Sequence, residues 1–189
     1  IRKYLPYCET IGTFSRIADI KSKSVEELKN LRHLKFDSIS IGTESGDDET
    51  LSRMNKGNTA ADILEQCRKL EEANIRYNLV YLTGLAGKGK GQQNAIHTAE
   101  IFNQLHPFTI NFVSLTVFPE SELYQEIQEG KFIEASEQER LLELRTFISA
   151  LSIGMIPDDK VRILNELDAA IRQSSEIELK QYRNGIRSL

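Results

Sequence analysis

Three apolar, β-rich runs, each closing on a polar loop and parted from the next by helix-period sequence, constrain this chain more than anything else in it. The first starts at Phe36 and passes through Ile39-Ser40-Ile41 to Gly42-Thr43-Glu44-Ser45-Gly46. The second, Ile75 to Thr83, ends at Gly84-Leu85-Ala86-Gly87-Lys88-Gly89-Lys90-Gly91, and the third, Phe108 to Phe118, ends in Pro119 and Glu120. Between them, Thr59 to Ala73 places Ile63, Leu64, Cys67, Leu70 and Ala73 at helical spacing behind Thr59 as N-cap. Gln92 to Leu105 repeats the pattern with Ala95, Ile96, Ala99, Ile101, Phe102 and Leu105. Strands joined through helices predict parallel βαβ units, and such sheets carry their chemistry at the carboxyl ends of the strands.

At the amino end, Ile1 to Pro6 reads as a strand and Tyr7 to Ile20 as a loop containing Gly12 and Arg16. Ser24 and Glu27 form a capping box that opens a helix with Leu28, Leu31 and Leu34 as its buried stripe. At the carboxyl end, Ser136 to Ala150 is amphipathic, Gly154 to Lys160 begins a further helix, and Ser174 to Leu189 is charged. The expected organisation is a domain over residues 1–151 and a helical extension over residues 152–189. A chain that opens on Ile1 rather than Met is expected to be a fragment of a longer polypeptide.

With 189 residues, 40% of them hydrophobic, the chain can bury a core, and its net charge of −4 argues against a dedicated nucleic-acid surface. No run of about 18 apolar residues and no signal-peptide pattern occurs, so a cytoplasmic protein without a membrane partner is expected. Cys67 falls on the apolar face of its helix and Cys8 in a loop, which is no metal-ligand pattern. His33, His97 and His106 contain no pair at the i, i+4 spacing of a helical zinc site.

Two segments carry candidate chemistry. Gly42 and Gly46 permit backbone conformations closed to other residues and let a ligand approach closely at the end of the first run. Gly84 to Gly91 matches Gly-x4-Gly-Lys, but Gly91 stands where a phosphate-binding P-loop needs Ser or Thr for magnesium. Its amides could still cradle a phosphate or carboxylate, helped by Lys88 and Lys90, which keeps a nucleotide-binding reading open.

Ser40-Ile41-Gly42-Thr43-Glu44-Ser45-Gly46, followed by Asp48, Leu51 and Met54-Asn55-Lys56-Gly57, resembles the fourth-strand segment of the radical S-adenosylmethionine (SAM) enzymes. Leu82-Thr83-Gly84-Leu85-Ala86-Gly87 resembles the end of their fifth strand, and Ser114 to Pro119 with Leu123-Tyr124 their sixth strand and its exit. The look is that of the coproporphyrinogen oxidase-like and methylthiotransferase-like iron-sulfur oxidoreductases.

The resemblance implies an α/β fold, a parallel sheet forming the carboxyl-terminal half of a TIM-like partial (βα)6 barrel. It also implies reductive cleavage of SAM to a 5′-deoxyadenosyl radical by a 4Fe–4S cluster in the full-length protein, with a reductase donating one electron and a small-molecule substrate. It places Glu44, Ser45 and Lys56 at the cofactor, with Gly42, Gly46 and Gly84 allowing close approach. The family's Cys-x3-Cys-x2-Cys motif is absent, so no tightly bound cofactor and no activity are expected of this chain alone. The acidic residue that the family carries inside its fifth strand falls at Val80. The alternative is a non-catalytic binding or scaffold fragment, self-associating through an exposed sheet edge.

Overall fold

A computed structural model describes Tyr4, residues 6–154 and residues 157–186. Its centre is a four-stranded parallel sheet in the order β1 (Ile11–Ser15), β2 (Phe36–Glu44), β3 (Arg76–Thr83), β4 (Thr109–Ser114). Crossovers between neighbours run through α1 (Ile17–Lys21) and α2 (Val25–His33), then α3 (Asp48–Arg53) and α4 (Ala60–Glu72), then α5 (Gly91–Phe102). After β4 come α6 (Glu122–Gln128), α7 (Glu137–Ala150), α8 (Pro157–Gln173) and α9 (Glu176–Ile186).

Capping explains where the crossover helices start. Ser24 and Glu27 form the expected box at α2, and Thr59 with Asp62 forms another at α4. The central strands then divide their side chains between two environments. Ile39, Ile41 and Thr43 of β2 and Tyr77, Leu79, Tyr81 and Thr83 of β3 are buried beneath the helices. Ser38, Ser40, Gly42 and Glu44 alternate with them onto the opposite, partly open face, where Asn78 Nδ2 donates to Ser40 Oγ (3.2 Å) and Thr109 Oγ1 donates to Asn78 Oδ1 (2.9 Å). Helix α7 closes the core: the Phe147 ring stacks on Tyr81 with centroids 4.4 Å apart and meets Phe102 edge-on. Helix α8 packs Ile163, Leu164 and Leu167 on the same core, and Arg145 of α7 pairs with Asp168 at 2.6 Å.

The amino-terminal expectation needs correcting. The loop predicted over Tyr7 to Ile20 contains β1 and α1, and the strand predicted over Ile1 to Pro6 lies largely outside the described residues, with Tyr4 and Pro6 in turns. Strand β1 is an edge strand with Gly12, Thr13 and Phe14 exposed, so its residues carry no apolar run. Arg16 directly follows β1 at the carboxyl edge of the sheet, in the N-cap position of α1, and pairs with Asp19 at 3.0 Å. Strand β4 is shorter than its apolar run because Leu115 and Val117, beyond Ser114, enter a second small cluster with Leu85 and Phe132.

Candidate cofactor and substrate site

Strand β2 ends irregularly. Its register with β3 shifts between Ile41 and Glu44, and Glu44 adopts φ 63°, a left-handed conformation that a side chain with a Cβ disfavours. The turn places the Glu44 carboxylate at the carboxyl edge of the sheet, 2.7 Å from Lys56 Nζ, with both side chains about a quarter exposed. Lys56 reaches it from the tight end of α3, where its amide donates to Leu51 O and Asn55 takes φ 51°. Two residues expected at one cofactor therefore do meet, at a strained backbone position of the kind that clusters at ligand sites.

The glycines divide their roles differently from the sequence expectation. Neither Gly42 nor Gly46 lies in the left-handed region; Glu44 between them does. A Cβ on Gly46 would stand 2.9 Å from Thr98 Cα, so Gly46 admits α5 rather than a ligand. Gly42 is open, its nearest neighbour being a Glu44 carboxylate oxygen at 3.5 Å from a built Cβ. Gly84 does take a positive φ, 83°, and a Cβ there would meet Arg140 Nε at 2.9 Å. Ser45 is buried with its hydroxyl committed: it donates to Asn94 Oδ1 at 2.6 Å and accepts from the Asp47 amide at 2.9 Å.

Beneath this edge lies a buried polar network. Glu143 of α7, fully buried, accepts from Tyr81 Oη (2.7 Å), Asn94 Nδ2 (2.9 Å) and the Gly84 amide (2.7 Å). Burial pushes the Glu143 carboxyl above its ordinary range, against the pull of those donors, and burial beside Glu143 also drives the Tyr81 phenol upward. Gly91 is a glycine because a Cβ would stand 2.8 Å from Glu143 Oε2. Sequence inspection missed this network, since its members lie on β3, α5 and α7. The signal was a Glu inside the apolar stripe Leu142, Leu144, Phe147. It also gave no role to Asp47, which caps α3 by accepting from the Thr50 amide at 2.9 Å and lies 2.6 Å from His97 Nδ1.

Five amides of the Gly84 to Gly91 segment are bonded within the protein, which counts against the phosphate-cradle reading. The Gly84 amide donates to Glu143, Gly87 to Gly84 O, Lys88 to Ile133 O, Gly89 to Glu139 and Lys90 to Gly87 O. Amides that would hold a phosphate are spent on the protein itself.

In parallel α/β sheets ligands are bound at the carboxyl ends of the strands, and the strained, charged turn at Glu44 lies at that edge. A family model described as the radical SAM superfamily matches residues 7–101, just over half of the chain, and the chain belongs to that superfamily. It is 27% identical over 139 residues to the anaerobic magnesium-protoporphyrin IX monomethyl ester cyclase of Cereibacter sphaeroides, an alignment spanning 68% of this chain and 22% of that protein. In fold it resembles Elp3 of the archaeon Methanocaldococcus infernus, with a TM-score of 0.63 at 15% identity over 84% of this chain and 41% of that one. The chain thus spans about a fifth of the curated relative's length.

The superfamily implies SAM and a 4Fe–4S cluster in its full-length members. The residues here do not fit the cluster: the two cysteines lie apart, Cys67 buried in α4 with its thiol pushed by burial up to about 12, and among the described residues no group of three or more His, Cys, Asp or Glu could hold a metal. They do fit SAM, whose ammonium, carboxylate and ribose hydroxyls need the acceptor and cation that Glu44 and Lys56 supply. Among the described residues, no helix is long and apolar enough to cross a membrane.

Proposed function

We propose that this chain contributes the SAM-binding carboxyl edge of a radical SAM oxidoreductase. The observation that carries the reading is Glu44, held at φ 63° on the edge of the sheet and paired with Lys56 at 2.7 Å. SAM held by Glu44 and Lys56 would supply the carbon radical of the superfamily's chemistry.

The chain's own residues bind and orient. Glu44 accepts from the ribose hydroxyls or the ammonium, and Lys56 turns from Glu44 to the methionyl carboxylate. Gly42 leaves the strand surface bare so that the ligand lies against the backbone. Ser45, Asn94 and Glu143 hold the strand ends in register and contact no ligand. Preformed charges keep the cost of binding low, because Glu44 and Lys56 satisfy one another until the ligand replaces each with a partner of its own.

Titration of the whole, cluster-reconstituted protein with SAM tests this. Glu44→Ala is expected to weaken SAM binding roughly 10- to 100-fold, as loss of a hydrogen bond to a charged group does, with Lys56→Gln comparable. Unchanged affinity in both variants would remove the assignment.

A further inference from the structure

At the same carboxyl edge of the sheet as the Glu44–Lys56 pair, a cleft of about 510 Å³ opens between α3, the Gly84–Gly91 loop and the segment after α6. Its size suits a small organic ligand. Four of its lining residues are cationic, Arg53, Lys88, Lys90 and Lys131, against one lining carboxylate, Glu49, although the chain as a whole carries a net charge of −4. Three of the cations are held by carboxylates: Arg53 by Glu126 at 2.6 Å, Lys90 by Glu49 at 2.5 Å and Lys131 by Glu129 at 2.5 Å. Lys88 makes no ion pair among the described residues. Its charge reaches Glu139, whose carboxyl is held below its ordinary range first by the Ser136 amide and in smaller part by Lys88.

The cleft also has an apolar wall. Phe132 is almost fully buried, with the Arg53 guanidinium 5.5 Å above its ring, and it packs with Leu85 and Leu115. The Gly84–Gly91 loop can close on it because Gly87, at φ 79°, has no side chain; a Cβ there would stand 2.9 Å from Phe132 Cε2. Backbone amides take no part, since those of Gly87, Lys88, Gly89 and Lys90 are already bonded within the protein.

We propose that this cleft binds an organic anion, an apolar body lying against Phe132 with its acidic group between Lys88 and Lys90, and that this anion is the substrate of the radical reaction. That it is the substrate rests on the SAM-site reading above; that the cleft binds it does not. Entry of the acidic group releases Lys90 from Glu49, so Glu49 competes with the ligand.

The test is amide NMR or hydrogen-exchange titration of the whole protein with benzoate, benzyl alcohol and inorganic phosphate. Benzoate is expected to perturb Arg53, Lys88 and Phe132 while the neutral alcohol does not. Lys88→Gln is expected to weaken benzoate several-fold, Glu49→Gln to tighten it, and Glu44→Ala to leave it unchanged while reducing SAM binding. Equal binding of benzyl alcohol, perturbation elsewhere on the surface, or indifference to both Lys88→Gln and Glu49→Gln would overturn the proposal. Inorganic phosphate binding as tightly as benzoate would overturn the apolar body. Loss of SAM binding with benzoate retained, or the reverse, separates failure of one reading from failure of the other.

Discussion

Lys56 Nζ lies 2.7 Å from the Glu44 carboxylate, and Glu44 itself sits at φ 63° where its strand slips register against β3. A left-handed glutamate costs about 1–2 kcal/mol relative to a residue without a Cβ. Glu44→Gly should therefore leave the urea midpoint of unfolding level or higher while SAM affinity falls. A lower midpoint would mean that the turn is held by the Glu44 side chain and stores no strain.

The two glycines flanking Glu44 should separate cleanly on substitution. Gly46→Ala drives a methyl to 2.9 Å from the α5 backbone and should destabilise the fold by about 1–3 kcal/mol in denaturant unfolding. Gly42→Ala meets only the end of the Glu44 side chain at 3.5 Å and should fold normally while weakening SAM binding. The opposite ranking would reverse the roles assigned to these positions.

Asp47 ties pH to stability. Burial opposes its charge, yet hydrogen bonds from His97 and Thr50 win and hold its carboxyl below the ordinary range. A depressed folded pKa contributes stability that is present above the ordinary aspartate value, near 4, and is lost as pH falls through the lower, folded value. Asp47→Asn should flatten that part of the stability profile below about pH 4, and Asp47→Ala should cost about 1 kcal/mol at neutral pH through the lost helix cap. A profile as steep in the Asn variant as in the parent would contradict this.

Glu143 has the opposite sign. Its raised folded pKa makes its contribution largest below the ordinary glutamate value and smaller as pH rises through the raised one. The stability of the parent relative to Glu143→Gln should fall over that interval. Glu143→Leu, which orphans the Gly84 amide, Tyr81 and Asn94, should cost about 3 kcal/mol or more.

The thiols give a quick check on the core. Cys67 is fully buried with its thiol pushed up to about 12, whereas Cys8 is partly accessible. Cys8 should react with an aromatic disulfide reagent in the folded protein and Cys67 only on unfolding, as peptide mapping of the labelled protein would read. Fast labelling of Cys67 would mean that α4 is not seated on the sheet.

What the sequence made legible was local. Ser24 with Glu27 and Thr59 with its first turn announce their helices within a few residues, and Ile75 to Thr83 carries enough β-branched and aromatic character to mark a buried strand. Strand β1 escaped because an exposed edge needs no apolar run, so Ile11 to Ser15 looks like a loop. At the site, Glu44 and Lys56 were readable as a family pattern. Their contact, the left-handed turn and the commitment of Ser45 to Asn94 were not, because each depends on residues that meet only when α3 and α5 fold back over β2. Glu143 lies more than fifty residues from Gly84 in sequence, and its partner could not be guessed from either end.

The most direct measurement is amide hydrogen exchange of the whole, cluster-containing protein with and without SAM. Protection gained at Gly42 to Gly46 and at Met54 to Gly57 is the predicted result. Protection confined to Gly84 to Gly91, or none in this chain, would contradict the assignment of Glu44 and Lys56 to the cofactor.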